Sequence, residues 1–334
     1  MKLLLRFLFL LAATLHVQTA LPKYTVLKTE SNDTYFTQLN QLADQGYRVL
    51  AVSKYTVLHL EATPPDTYRY LRIEAKGGPA ELANWINDQG SHGYRWRART
   101  GLLEKAPHPR NFEYRVAHHG AMGPARSQDL SALVDEGYRP LQPIAFSHAL
   151  GAATREVFFE RELDQPAPAP SPYPGTSIAI ADAMRADNVL KKVDELARKG
   201  YRFVAPHESN QGGGISVMME KCPEDCSGRY EYRYFDAKNA EQLERDLNAL
   251  GKDGFRVLPP ALQSRPHLVE RDAKTKQAFN YRALDPADAP SLEHLVNAAN
   301  EEGFVPLDFV WHAGFSSAQG FLVLEKETTV AANP

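Results

Sequence analysis

Cysteine is almost absent from this chain: two residues in 334, Cys222 and Cys226, are too few for a disulfide framework or a four-thiolate zinc centre. Past the amino terminus, no apolar run approaches the roughly 20 residues that a membrane-spanning helix needs. Neither sign of charge is in excess, with 38 Lys and Arg against 41 Asp and Glu and a net charge of −3. A mildly acidic chain with scattered basic residues is a poor polyanion binder, which argues against nucleic acid as a partner.

Catalytic signatures are missing as well. The glycine-rich Gln211-Gly212-Gly213-Gly214-Ile215 leads into a strand pattern, whereas a phosphate cradle needs a helix whose amides point at the phosphate. Gly314-Phe315-Ser316-Ser317-Ala318 breaks the nucleophile-elbow spacing. The pair His118-His119 would point to opposite faces of a strand and could not easily share a metal there. His59, His148, His207 and His312 have no repeating carboxylate partner. No cofactor and no metal site is expected.

What is present begins with the amino terminus, MKLLLRFLFLLAATLHVQTA. Lys2 and Arg6 precede an apolar stretch, 7–15, too short to span a bilayer but suited to a secretory signal over 1–20. Cleavage after Ala20 competes with cleavage after Thr19. The expected location is periplasmic or secreted, with no membrane span once the signal is removed. In an exported chain, Cys222 and Cys226 in KCPEDCSG default to a local disulfide closing a small loop; free thiols and a redox or metal role are the alternatives.

The dominant feature is repetition. A Gly-aromatic-Arg triplet recurs at Gly46-Tyr47-Arg48, Gly93-Tyr94-Arg95, Gly137-Tyr138-Arg139, Gly200-Tyr201-Arg202 and Gly254-Phe255-Arg256, and ends with Gly303-Phe304-Val305, at intervals of about 50 residues. Seven residues before these glycines stand Leu39, Ile86, Leu130, Val193, Leu247 and Val296. Four before stand Leu42, Gln89, Leu133, Leu196, Leu250 and Ala299. Offsets of three, four and seven share one helical face, so a short amphipathic helix precedes each triplet. Each glycine then suits a left-handed position that ends the helix, and the next residues open a strand.

An alternating aromatic strand precedes the helix: Tyr68-Arg69-Tyr70, Phe112-Glu113-Tyr114, Tyr230-Glu231-Tyr232 and Phe279-Asn280-Tyr281, with Tyr24-Thr25-Val26 in unit one and a degenerate Ile178-Ala179-Ile180 in unit four. Its aromatic face should lie under the helix. A second apolar strand closes each unit on Glu61, Glu104, Glu160, Glu220, Glu270 or Glu325.

The expected fold is α+β: six β-α-β-β units, with helices packed on mixed sheets and the first two strands parallel through a right-handed crossover. A proline-rich linker, 163–175, divides them into two three-unit domains. Domain A covers 21–162, with units at 24–63, 68–106 and 112–162. Domain B covers 176–327, with units at 176–222, 229–272 and 278–327, and a tail follows at 328–334.

The pattern resembles a small bacterial βαββ family, the domain of unknown function 4177 family. The likeness is clearest in Tyr230-Glu231-Tyr232-Arg233 and Leu247-Asn248-Ala249-Leu250-Gly251-Lys252-Asp253-Gly254-Phe255. It implies a fold and brings no catalytic residues. Arg48, Arg95, Arg139, Arg202 and Arg256 read in two ways: an anion- or glycan-binding surface, or cross-strand partners of the closing glutamates on a solvent face. The function expected is that of an exported, non-catalytic binding protein of the cell envelope, whose partner is a protein, peptide or glycan. The alternative is a hydrolase-like enzyme with its site in an interdomain cleft.

Overall fold

A computed structural model describes residues 21–329 except 75–76, 118–123, 142–143, 148–152, 166–174, 184, 207–214, 237, 263–266, 286 and 312–319. The signal segment, most of the proline-rich linker and the end of the tail therefore lie outside the described residues. So do His118, His119, His148, His207 and His312, the glycine run at 211–214 and the Ser316-Ser317 segment.

Unit one has an opening strand Tyr24–Lys28, a helix Asp33–Asp44, a post-helix strand Tyr47–Val52 and a closing strand Tyr55–Leu60. The same order recurs in unit two (Arg69–Leu71, Pro79–Ser91, Tyr94–Arg97, Leu102–Lys105) and unit three (Phe112–Ala117, Pro124–Asp135, Arg139–Pro140, Ala153–Glu162). Unit four follows it (Ile178–Ala183, Ala186–Arg198, Tyr201–Pro206, Ile215–Lys221), as does unit five (Tyr230–Phe235, Ala240–Lys252, Arg256–Val257, His267–Asp272). Unit six ends the series (Gln277–Leu284, Ala289–Glu301, Val305–Trp311, Gly320–Thr329). Unit three adds a strand Ile144–Ser147, and unit five a short helix Pro259–Leu262.

Local chemistry fixes the helix ends. Asn32, Asn239 and Asp288 cap their helices, each side chain accepting from a backbone N–H three residues on, at 2.8 Å. At the other end, Gly46, Gly93, Gly137, Gly200, Gly254 and Gly303 have φ of +97°, +84°, +90°, +83°, +85° and +92°. The aromatic that follows reaches back: Tyr138, Phe255 and Phe304 donate their backbone N–H to Leu133, Leu250 and Ala299. At Gly46 a side chain is excluded twice over, since a Cβ would also lie 1.9 Å from the carbonyl oxygen of Ala62.

The sheets correct the expected topology. In every unit the closing strand lies between the other two and pairs antiparallel with both, so the opening and post-helix strands run parallel without touching. No mixed sheet occurs among the described residues.

The cores correct the expected packing. The tyrosine face of an opening strand lies under the helix of the preceding unit, not its own. Leu39 and Ala43 of unit one pack with Tyr68 and Tyr70 of unit two; Leu82 and Ile86 of unit two pack with Phe112 and Tyr114 of unit three. The series continues through Leu130 with Ile178, Val193 with Tyr232, and Leu247 with Tyr281. It closes when Leu292 and Val296 of unit six pack against Tyr24 and Val26 of unit one. The six units form a ring with six cores, each spanning a seam between neighbours.

This explains why the closing strands read as unbroken apolar pairs. Adjacent strand residues face opposite ways, and both faces are buried. Phe158 serves the seam with unit two and Phe159 the seam with unit four; Leu102 and Leu103, Met218 and Met219, and Leu268 and Val269 divide likewise. The seam between units three and four has an apolar core like the others, so apolar packing marks no boundary at the linker among the described residues.

The post-helix strands gather at the middle of the ring. Arg99, just past that strand in unit two, bridges to buried Asp308 in unit six at 3.0 Å. One cavity of about 360 Å³ is lined from five units, by Arg48, Trp96, Leu141, Val204 and Pro260 among others.

Candidate binding site at the seam of units three and four

Four seams carry one polar lock. Between units one and two, Arg48 donates to both carboxylate oxygens of Glu104 at 2.9 and 3.1 Å. Tyr70 donates its hydroxyl to the same carboxylate at 3.1 Å and accepts from the backbone N–H of Val49 at 2.8 Å. The guanidinium lies over the Tyr68 ring, 5.3 Å from its centroid. The arrangement repeats as Arg95, Glu160, Tyr114, Trp96 and Phe112, with an ion pair of 2.7 Å. It repeats again as Arg202, Glu270, Tyr232, Phe203 and Tyr230, and as Arg256, Glu325, Tyr281, Val257 and Phe279.

The Arg–Glu pairing therefore differs from the cross-strand expectation. Arg95 sits opposite Glu104 in its own sheet, yet bonds Glu160 of the next unit. The carboxylates of Glu104, Glu160, Glu270 and Glu325 are buried, so the pairs are seam locks and not solvent-face decoration. Burial first, and the adjacent carboxylate second, push the hydroxyls of Tyr70, Tyr114, Tyr232 and Tyr281 far above the usual tyrosine range, so they stay protonated donors. Register also reassigns unit one: the residue opposite Tyr24 is His59, not Glu61.

An asparagine on the helix completes the seam. Six residues before the cap glycine, Asn40 accepts from Tyr70 N–H at 2.8 Å and donates to its carbonyl at 3.0 Å. Asn87, Asn248 and Asn297 hold Tyr114, Tyr281 and Tyr24 in the same way. The signal was present in the sequence as Asn at one fixed offset before four of the six glycines.

Two seams lack the lock. Between units six and one, Val305 replaces the arginine, His59 the glutamate, Pro22 the aromatic platform and Pro306 the N–H donor. Between units three and four, Arg139 and Glu220 remain, but Thr176 replaces the platform, Ile178 the tyrosine and Pro140 the N–H donor. Ser131 takes the asparagine's place and accepts from Ile178 N–H at 2.9 Å.

Without platform, hydroxyl and N–H, the Arg139–Glu220 pair stays open. Arg139 is exposed and Glu220 half-buried, and beyond the backbone pairing of their strands no side-chain hydrogen bond or ion pair holds either to another described residue. Burial raises the Glu220 carboxyl above the usual range, with Arg139 the cation that opposes the rise. Both line a cavity of about 660 Å³ with Arg202, Arg229, Tyr230 and the loop closed by the Cys222–Cys226 disulfide. That volume suits a small ligand. Arg202 and Arg229 are already engaged, by Glu270 and Asp272, and both lie over the Tyr230 ring.

The five repeated arginines thus part company. Arg48 and Arg95 line the axial cavity with Arg97 and Arg99, Arg139 and Arg202 line the larger one, and Arg256 lines neither. Among the described residues no group of His, Cys, Asp and Glu could hold a metal ion. No helix among them is long and apolar enough to cross a membrane.

Compared with known families, residues 31–61 match a polyglycine hydrolase-like structural repeat. The segment holds the helix, cap and two following strands of unit one, and supports a repeat domain. It carries a different family name from the bacterial βαββ domain that the motifs resemble. No curated protein and no solved structure matches the chain.

Proposed function

We propose that this is an exported, non-catalytic binding protein whose ligand carries an anionic group and occupies the cavity lined by Arg139 of unit three together with units four and five. The observation behind this reading is the open Arg139. The matching arginines of four other seams are consumed by buried glutamates, whereas this one lines a cavity with its side chain bonded to none of the described residues. The repeated residues otherwise serve as caps, locks and core, which favours a rigid scaffold presenting one unlike site. Among the envisaged partners, a peptide or glycan bearing a carboxylate fits this cavity. The disulfide agrees with an oxidising compartment.

The test is a thermal-shift panel of carboxylate-bearing peptides and uronic acid oligosaccharides against wild type and Arg139→Gln. Ligands should raise the melting temperature of wild type and lose that effect in Arg139→Gln. A panel that shifts both proteins equally places the ligand elsewhere.

A hydrolytic reading draws only on the name of the matched repeat family. Turnover of peptide or glycoside substrates by the full chain, lost in Arg139→Gln, would favour it.

A further inference from the structure

Resting on that reading, we infer that the ligand is zwitterionic: an amino acid or short peptide whose carboxylate pairs with Arg139 and whose ammonium pairs with Glu220. The argument is one of unspent complementarity. In the locked seams, an arginine and a buried glutamate satisfy each other through a fixed tyrosine and an aromatic platform. At this seam both charged partners are retained at their register positions while every element that would draw them together is replaced. Two opposite charges are then left on one cavity wall, each short of the hydrogen bonds that such groups form elsewhere in the ring.

A purely anionic ligand would satisfy Arg139 and leave Glu220 facing a second negative charge. A cation alone would do the reverse. A molecule with both charges a few bonds apart answers both. Charge-assisted bonds of this kind are among the stronger ones available to a small ligand. The cavity holds more than a single residue, which leaves room for a short peptide. Lys221, Glu224 and Asp225 on and beside the disulfide loop give the rest of the lining both signs of charge.

Isothermal titration of the full chain with L-alanyl-L-alanine, its N-acetyl form and its carboxamide tests this. The free dipeptide should bind at least tenfold more tightly than either blocked form. Arg139→Gln should lose binding of the dipeptide. Glu220→Gln should bring the free and acetylated forms to equal affinity. Neither side chain is bonded to another described residue, so circular dichroism should show both variants folded. If the acetylated form binds wild type as tightly as the free one, the ammonium contact is wrong and the broader anion-binding reading survives. If neither binds, both readings fail at this site. Unchanged dipeptide affinity in Arg139→Gln overturns the assignment of the carboxylate.

Discussion

The seam between units four and five and the seam between units three and four have the same helix, the same cap and the same closing-strand glutamate, but opposite polar outcomes. In the first, Arg202, Glu270, Tyr232 and Tyr230 form a closed set. In the second, Arg139 and Glu220 stand apart, and cohesion comes from the Ser131 contact to Ile178 and from Asp135, which accepts from Gly175 N–H at 2.7 Å and from Ser177 Oγ at 2.5 Å. The seam between units six and one solves the same problem differently. There Glu293 accepts from Thr25 Oγ1 at 2.8 Å and Val26 N–H at 2.9 Å, and Tyr55 donates to the carbonyl of Ala287 at 3.0 Å. The two unlocked seams lie three units apart, and both carry proline where the others donate an N–H. We propose that the three-plus-three division expected from the linker survives as this internal symmetry within one ring.

The largest effect that separates the two kinds of seam should come from Glu270→Ala. It strands Arg202 and the Tyr232 hydroxyl at once, for a loss of about 2–3 kcal/mol in chemical denaturation, moderated because Arg202 keeps contact with water. Glu220→Ala should cost less than about 0.5 kcal/mol. Equal losses would erase the distinction. Next comes Tyr232→Phe, which keeps the ring but removes two hydrogen bonds in a buried site, at about 1–2 kcal/mol. Gly254→Ala forces an alanine to φ +85°, for about 1 kcal/mol; an unchanged melting temperature would contradict the cap's role.

The smallest effect depends on pH. Burial raises the Glu220 carboxyl in the folded chain. A raised carboxyl favours the folded state below its unfolded pKa, and that advantage is lost as pH rises through the folded value. Glu220→Gln should therefore be more stable than wild type near neutral pH, and the gain should vanish below the ordinary value of 4.5. A gain that persists in acid would point to packing and not to charge.

Much of the architecture could be read from residues alone because it rests on local rules. The offsets before Gly46 or Gly254 define a helix face, and a glycine after it defines a stop. What could not be read is which neighbour completes each core, since Tyr70 under its own helix and Tyr70 under the preceding helix give the same alternating pattern. The closing strand's place between the other two was hidden for a similar reason: Phe158 and Phe159 announce burial on both faces without naming the strands alongside. The candidate site was harder still. Arg139 looks like four other arginines, and only the register that sets Ile178 against Glu220 shows that its lock is incomplete.

Closure of the ring, unit six onto unit one, is the claim on which the rest turns, and a double-mutant cycle between Thr25→Ala and Glu293→Gln measures it directly. Residues 2.8 Å apart across that seam should show a coupling energy of about 0.5 kcal/mol or more in chemical denaturation. Strict additivity of the two substitutions would mean that the ends of the chain do not meet there.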